Sequence, residues 1–535
     1  MLLYDFLTQL PSMSTISKGV STLSSTIVGY IVPAVLSWLF IYATYQIFLH
    51  PLHRYPGPLA AKLTDAYSGF YAFQRRLHLK TWQNQRAYGT VVRQGPNKLV
   101  FSTIKAIQDI YKNDRTTKPE AYIALGPALT VAATLTARDR HVHRYKRQLV
   151  GQALSERFMR IFEPTMINQV DLFITYLLQS AKESIPVNIT ERSKYLSFNL
   201  AGLLGFGYDF GMQTSEENKF MPMMLEAGEY WSNIFFQWPN TRKFRLGLVF
   251  VQVLRQTRGK YLALVEKMIT SRTKQEKDAQ QDLYSILAGS LDTGAGGLRQ
   301  SELWAEANLF LPGAGDTTKT ALSSIFFYLS RNPDCYEKLA HEIRSTFKDG
   351  SEIRGPALAG CHYLRACIDE ALRMSPPAPG ILWRDLHPGN DDLPFIVDGH
   401  VIPRGTTVGV NIYSIHHNEE YFPDPFSFHP ERWLDDSATP ERKKIMREAF
   451  IPFSLGPRGC AGKAMAYLEV SLVVAKTLWY FDFGRAPGGL GEIGAGAPGM
   501  GHGRERQGEF QLFDTFTASH DGPYLAFRSR DGLFS

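Results

Sequence analysis

The stretch Phe453–Gly462 reads FSLGPRGCAG, and the reading of its one cysteine decides the fold. In the residues that follow, AGKAMAYLEVSLVVAKTLWYF, apolar side chains at Met465, Leu468, Leu472, Ala475 and Leu478 recur with helical spacing. Cys460 therefore falls at a helix N-terminus, where the dipole and free N–H groups favour a thiolate. Gly456, Gly459 and Gly462 let the backbone approach a flat ligand closely or take positive φ. Arg458 offers a planar, permanently charged donor to a carboxylate. Taken alone, a thiol at a helix start still leaves a buried structural cysteine as the commoner outcome.

Outward from this segment, the 535-residue chain is long enough for one large enzyme domain with a deep core. Hydrophobic residues make up 44% and charged residues 20%, a globular composition. Four cysteines in such a length cannot build a disulfide framework and fit a reducing compartment. The net charge of +7 suits an acidic partner or an anionic membrane. Zinc spacings and compact basic-aromatic tracts are missing from the sequence, so it points to no nucleic acid.

No charged residue occurs from Gly19 to Leu49, and Thr26–Leu49 reads TIVGYIVPAVLSWLFIYATYQIFL. A helix over 26–49 exceeds the ~30 Å hydrocarbon core and is expected to anchor the chain in a membrane after a tail at 1–25. Its late start, its length and the lack of a small-residue cleavage site argue against a signal peptide. Residues 50–58, within HPLHRYPGPLA, form a proline-rich hinge, because Pro51, Pro56 and Pro58 forbid a continuing helix. The body, 59–535, reads as mainly helical with small sheets. Strands are expected at Val91–Arg93 and Lys98–Phe101, with a hairpin at FIVDGHVI turning on Asp398-Gly399. From about Arg138 to Ser285 the periodicity is helical. Residues 487–508 are Gly-rich and read as a flexible loop; its two GxGxxG matches lack the strand and helix of a dinucleotide site.

Four further stretches carry chemistry. In DEALRMSPP, Glu370 and Arg373 share a helix face, a spacing that would also suit a solvated surface pair. LFLPGAGDTTKT lies in a helical stretch from Glu302 to Ser330 in which Pro312, Gly313 and Gly315 should distort the middle. HRYKRQL sets His143 and Arg147 four apart. The adjacent His416 and His417 of SIHHNEE point different ways and read as a surface turn rather than a metal site.

Together these residues resemble the cytochrome P450 family. Phe453, Gly456, Arg458, Cys460 and Gly462 fill its haem-ligand pattern F-x-x-G-x-R-x-C-x-G, and the resemblance extends over nearly the whole chain, the Gly-rich insertion excepted. It implies that Cys460 is the iron ligand of haem b, with Phe453 near the sulfur and Arg458 on a propionate. His143, Arg147 and Arg384 would contact propionates as well. Glu370, Arg373 and Arg432 of FHPERW would form a buried structural network. Asp316 and Thr317 would be the acid–alcohol pair of the oxygen groove, although Ala314 and Pro312 depart from the usual pattern. The resemblance further implies a monooxygenase in the endoplasmic reticulum membrane, single-pass with a cytosolic catalytic domain, acting on an apolar small molecule in fungal secondary metabolism or xenobiotic hydroxylation. Electrons would come from NADPH through a separate cytochrome P450 reductase, with cytochrome b5 as an optional second donor. Arg144 and Lys146, beside Arg147, would supply at least one exposed docking cation. Leu309–Leu311, Pro377–Leu382 and part of Ala121–Leu135 would wall the pocket. A haem-thiolate isomerase or dehydratase and a non-catalytic haem-binding membrane protein are the other classes compatible with these motifs.

Overall fold

Gln300–Leu329 is one unbroken α-helix although Pro312 lies inside it. At ~1.5 Å per residue it runs about 45 Å and crosses the domain. The computed structural model describes residues 27–126, 131–244, 255–276, 282–288, 299–387, 393–435 and 439–530. The expected tail at 1–25, and Thr26, lie outside these. Gly315 serves packing rather than a break in the helix. A Cβ there would stand 2.8 Å from the Phe198 ring, so glycine lets the helix Ile189–Phe206 lie close alongside. Helices Glu156–Glu183, His362–Met374 and Lys463–Tyr480 complete the main core around this pair, burying Phe162, Phe173, Leu322, Phe326, Leu372 and Leu472.

The sheets are small. Val91–Gly95 pairs antiparallel with Lys98–Phe101, which pairs in parallel with Thr407–Val410, Lys98 opposite Thr407. Phe395–Val397 and His400–Ile402 form the hairpin expected at Asp398-Gly399, both in left-handed conformation with φ of 50° and 77°. Val187–Asn188, Tyr524–Ser529 and Phe481–Arg485 make a second three-stranded sheet, and Phe513–Thr515 and Thr517–Ser519 a tight hairpin.

At the N-terminal end, Gly29–Leu49 is long and apolar enough to cross a membrane, with mean hydropathy 1.6 and almost none of it buried. Its last turns are fastened to the domain. The Arg93 guanidinium donates to the Gln46 carbonyl at 2.7 Å and to Gln46 Oε1 at 2.6 Å, and the Tyr42 hydroxyl donates to Leu63 O.

The Gly-rich stretch 487–508 departs from the flexible loop expected of it. Its backbone folds on itself, with the Gly496 Cα against the Arg504 and Arg506 carbonyls. Buried Arg504 donates to Gln511 Oε1 at 3.1 Å and Leu512 O at 2.8 Å, while the Arg506 guanidinium covers the Phe426 ring at 3.6 Å. Two arginines inside a low-complexity stretch therefore supply anchors that its glycines lack. No α-helix opens at either GxGxxG match, the first carrying only the short 3-10 turn Gly488–Glu492.

Glu370 is fully buried and holds Arg373 in a two-point contact, Nε to Oε2 at 3.0 Å and Nη2 to Oε1 at 2.8 Å. Arg432 Nε at 3.0 Å, Trp433 Nε1 at 3.0 Å and the His429 N–H at 3.1 Å complete its shell. Burial pushes the Glu370 carboxyl up, but Arg373 and Arg432 outweigh it and the net shift is downward. Arg373 also donates to the carbonyls of His416, Pro425 and Ser427.

His416 and His417 are buried, not in a surface turn, and no group of metal-ligating side chains forms among the described residues. The His416 Nδ1–H faces the Arg373 carbonyl at 3.1 Å, while Nε2 accepts the Ile451 N–H at 3.0 Å. Acceptance at Nε2 needs the neutral imidazole, and burial with Arg373 lowers its pKa to about 3. The unfolded chain takes up this proton near pH 6.5. Stability is therefore lost as pH falls from about 6.5 toward 3, by one proton, about 1.4 kcal/mol per pH unit. Denaturant unfolding between pH 4.5 and 7 should show a shallower pH slope in His416→Gln, by about one proton; an unchanged slope contradicts this assignment.

Candidate active site

The segment expected to carry the thiol is built around one steric constraint. Gly456 has φ +69°, and a Cβ there would come within 2.1 Å of the Tyr111 carbonyl oxygen, so only glycine fits. A short turn, Gly456–Arg458, follows, and the Cys460 N–H donates to the Phe453 carbonyl at 2.8 Å. The helix Lys463–Tyr480 begins just beyond, with Gly462 as its N-cap. Cys335, Cys361 and Cys367 are buried, whereas Cys460 alone of the four is exposed. It faces the interior of a cavity. Burial pushes its thiol pKa up, opposed by the Gly462 N–H and by the charges of Arg147 and Lys463.

That cavity encloses about 1080 Å³. This exceeds the ~300–1,000 Å³ typical of a small-molecule pocket and leaves room for a cofactor beside a substrate. Of the residues singled out from sequence, His143, Arg147, Thr317, Phe453, Arg458, Cys460 and Gly462 all line it. Leu309, Phe310, Pro377, Ala378, Leu382, Leu125 and Leu135 form part of its wall; residues 127–130 of the expected wall lie outside the described ones. Leu311 is a correction, since it is turned into the protein core on the opposite side of its helix.

Beside Cys460 the charges are one-sided. Lys118, His143, Arg147 and Arg458 line the wall, with Arg384 buried behind them. Among the described residues none of the three arginines has a carboxylate within ion-pair distance. They donate instead to neutral oxygens: Arg147 to Cys460 O at 3.1 Å, Arg384 to Tyr122 Oη at 3.2 Å and Arg458 to Arg138 O at 3.0 Å. Burial, then the Arg458, Lys118, Arg147 and Arg384 charges, lower the His143 pKa to about 3. Burial and the same arginines depress Lys118 strongly. Such a set of unneutralised donors, next to a cavity-facing thiol, fits a planar metal macrocycle bearing two carboxylates. Haem b has that form.

Across the cavity, Thr317 presents its hydroxyl from the middle of Gln300–Leu329, donating to Gly313 O at 2.7 Å. Asp316 does not join it on the wall. Its carboxylate is buried, bonded through Oδ1 to Lys319 Nζ at 2.8 Å, with Oδ2 unpartnered among the described residues. Burial pushes the Asp316 carboxyl up, Lys319 opposing. Glu370, Arg373 and Arg432 lie together away from the cavity, in the structural network described above.

Two groups on the wall escaped the sequence reading. Lys118 belongs to no motif, and Glu229 has only another acid, Glu226, one turn away on its helix, so no local pattern marks either as a site residue. Of Arg144 and Lys146, at least one of which was expected to be exposed, Arg144 is exposed, whereas Lys146 is buried and paired with Glu302 at 3.0 Å and Glu306 at 3.5 Å.

The family model for cytochrome P450 matches residues 66–490. The chain is 33% identical over 514 residues to the cytochrome P450 monooxygenase apf7 of Gibberella fujikuroi, covering 92% of this chain and 96% of that one. It is 31% identical over 520 residues to AKT7 of Alternaria alternata, with 95% and 97% covered, and 33% identical over 500 residues to poxM of Penicillium oxalicum, with 92% and 93% covered. Both are also named cytochrome P450 monooxygenases.

Replacing one charged donor in the cation cluster removes a charge-assisted bond of about 1.5–3 kcal/mol. Arg458→Leu should therefore weaken haem retention about 10- to 100-fold, read as faster transfer of haem to apomyoglobin. Transfer at the wild-type rate contradicts a propionate contact at Arg458.

Proposed function

The chain belongs to the cytochrome P450 family, and we propose that it is a membrane-anchored haem-thiolate monooxygenase that inserts one oxygen atom from O2 into an apolar small molecule. One observation carries this reading: an exposed thiol and a threonine from the long helix line the same, largely apolar cavity. Haem b bound with Cys460 as thiolate ligand supplies the reductive activation of O2, the thiolate favouring O–O cleavage.

The chain's own residues would do the rest. Arg458, Arg147, His143 and Lys118, with Arg384 behind them, hold the carboxylate edge of the cofactor. Phe453 shields the sulfur side from water. The Thr317 hydroxyl, released from Gly313 O, accepts and passes protons on the opposite side. Asp316, one residue back on the same helix and with its Oδ2 unpartnered among the described residues, would resupply Thr317. Leu309, Phe310, Ala378 and Leu382 exclude water and orient an apolar substrate.

Members of the family generally draw electrons from a redox partner. Here we assign that part to NADPH–cytochrome P450 reductase, with cytochrome b5 as a second donor. The apolar Gly29–Leu49 helix supports an anchor in the endoplasmic reticulum membrane, with the domain on the cytosolic side. The matching relatives are named cytochrome P450 monooxygenases of fungi, which supports an oxidation in fungal secondary metabolism or xenobiotic hydroxylation. The substrate sought is accordingly a fungal metabolite or a xenobiotic.

Reductase-supported oxygen uptake, with product and hydrogen peroxide counted together, tests the reading. Wild-type protein should couple NADPH oxidation to product. Thr317→Ala should keep its haem and bind substrate but release mostly peroxide. Unchanged coupling in Thr317→Ala contradicts the proton-delivery role, and no reductase-dependent oxygen uptake by wild type contradicts the monooxygenase.

A further inference from the structure

The cavity wall is largely apolar, and its charged groups beyond the cation cluster are Arg258 and two acids: Glu306, which is committed to Lys146 and the Thr134 N–H, and Glu229. Glu229 lies on the helix Phe220–Gln237 and lines the cavity together with Phe516 and Thr517 from the hairpin Phe513–Ser519. The Thr517 hydroxyl donates to Glu229 Oε2. One turn further along the same helix, Asn233 Nδ2 donates to the Asp514 carbonyl at 3.2 Å, so helix and hairpin are registered at two points. Phe516, at the hairpin tip, has φ +84°, a strained value for a residue with a side chain, which turns it and Thr517 toward the cavity. Among the described residues nothing is bonded to Glu229 Oε1.

We propose that Glu229, braced by Thr517, is a specificity residue that donates a hydrogen bond to a carbonyl or hydroxyl oxygen on an otherwise apolar substrate. The proposal deepens the monooxygenase reading and rests on it. Its physical basis is the fate of a carboxyl group in an apolar wall. Burial first, and then the neighbouring Asp316, push the Glu229 carboxyl up to about 8, with Thr517 and Lys319 opposing and Glu226 adding to the rise. The other charged groups packed around it are Lys194, which acts on Asp316, and Arg258 on the facing wall. At neutral pH the acid keeps its proton. With Oε2 accepting from Thr517, the proton sits on Oε1. A carboxyl O–H left without a partner on the wall selects for a ligand that brings an acceptor to it, because a pure hydrocarbon would leave that donor unpaired.

Two probes of nearly equal shape test this: 2-decalone, which carries a carbonyl, and decalin, which does not. Each is titrated into full-length haem-loaded protein at pH 7, with thermal stabilisation and the haem difference spectrum read together. Wild type should prefer the ketone by about tenfold, the value of one hydrogen bond. Glu229→Gln, a neutral donor of the same shape, should retain most of the preference, and Glu229→Leu should abolish it. As pH rises through about 8, wild type should lose the preference through ionisation of Glu229, while Glu229→Gln keeps it. An equal ketone-to-hydrocarbon ratio in wild type and Glu229→Leu overturns the proposal, as does failure of the ketone to bind wild type. The carbon monoxide spectrum separates the two failures. A thiolate-type spectrum without ketone preference overturns only the role of Glu229, whereas a wild type lacking that spectrum takes the monooxygenase reading down with it.

Discussion

The buried carboxylate of Glu370 is the constraint on which the site depends. Two arginines, an indole N–H and a backbone N–H close around it in the protein interior. Arg373 then extends to the carbonyls of His416, Pro425 and Ser427, fixing the chain across that interval. His416 passes the constraint on, accepting from the Ile451 N–H at 3.0 Å at the start of the thiol segment. From there Pro452 and Phe453 lead to the bond between the Phe453 carbonyl and the Cys460 N–H. A salt bridge buried this deeply adds little net stability. Its contribution here is positional: it fixes where the backbone carrying Cys460 must run.

Three environments meet in the cavity. Near Cys460 the wall is cationic, with a neutral His143 whose protonation the surrounding charges oppose. On the long helix, Thr317 follows the apolar wall residues Leu309, Phe310, Pro312 and Ala314. At the third side Glu229 and Thr517 form the polar spot next to the buried pair Asp316 and Lys319. This separation lets anion binding, proton transfer and substrate orientation occur within one enclosed volume. Low dielectric strengthens each of them.

Much of this was legible in the sequence because it is local. The cysteine segment, the long helix with Thr317, the helix pair Glu370 and Arg373, and the Asp398-Gly399 hairpin each rest on spacing within a few residues. The parts that were not legible depend on partners far along the chain. Lys146 looks like a surface cation until Glu302 and Glu306 are brought against it. The pair His416-His417 looks like a turn until Arg373 and Ile451 close over it. Leu311 differs from its neighbours only in helical phase, which periodicity alone does not assign to cavity or core. Glycine content suggested a flexible 487–508, whereas Arg504 pins that segment to Gln511 and Leu512 and Arg506 pins it to the distant Phe426 ring.

The central claim is that Cys460 is the cavity's metal-binding thiolate, and the most direct measurement is the carbon monoxide difference spectrum of reduced, haem-loaded protein. Wild type should show the red-shifted band of a thiolate ligand opposite carbon monoxide. Cys460→Ala should lose that band even in preparations that retain haem through the arginine cluster. A red-shifted band that persists in Cys460→Ala, or that never appears in wild type with full haem content, would contradict the account.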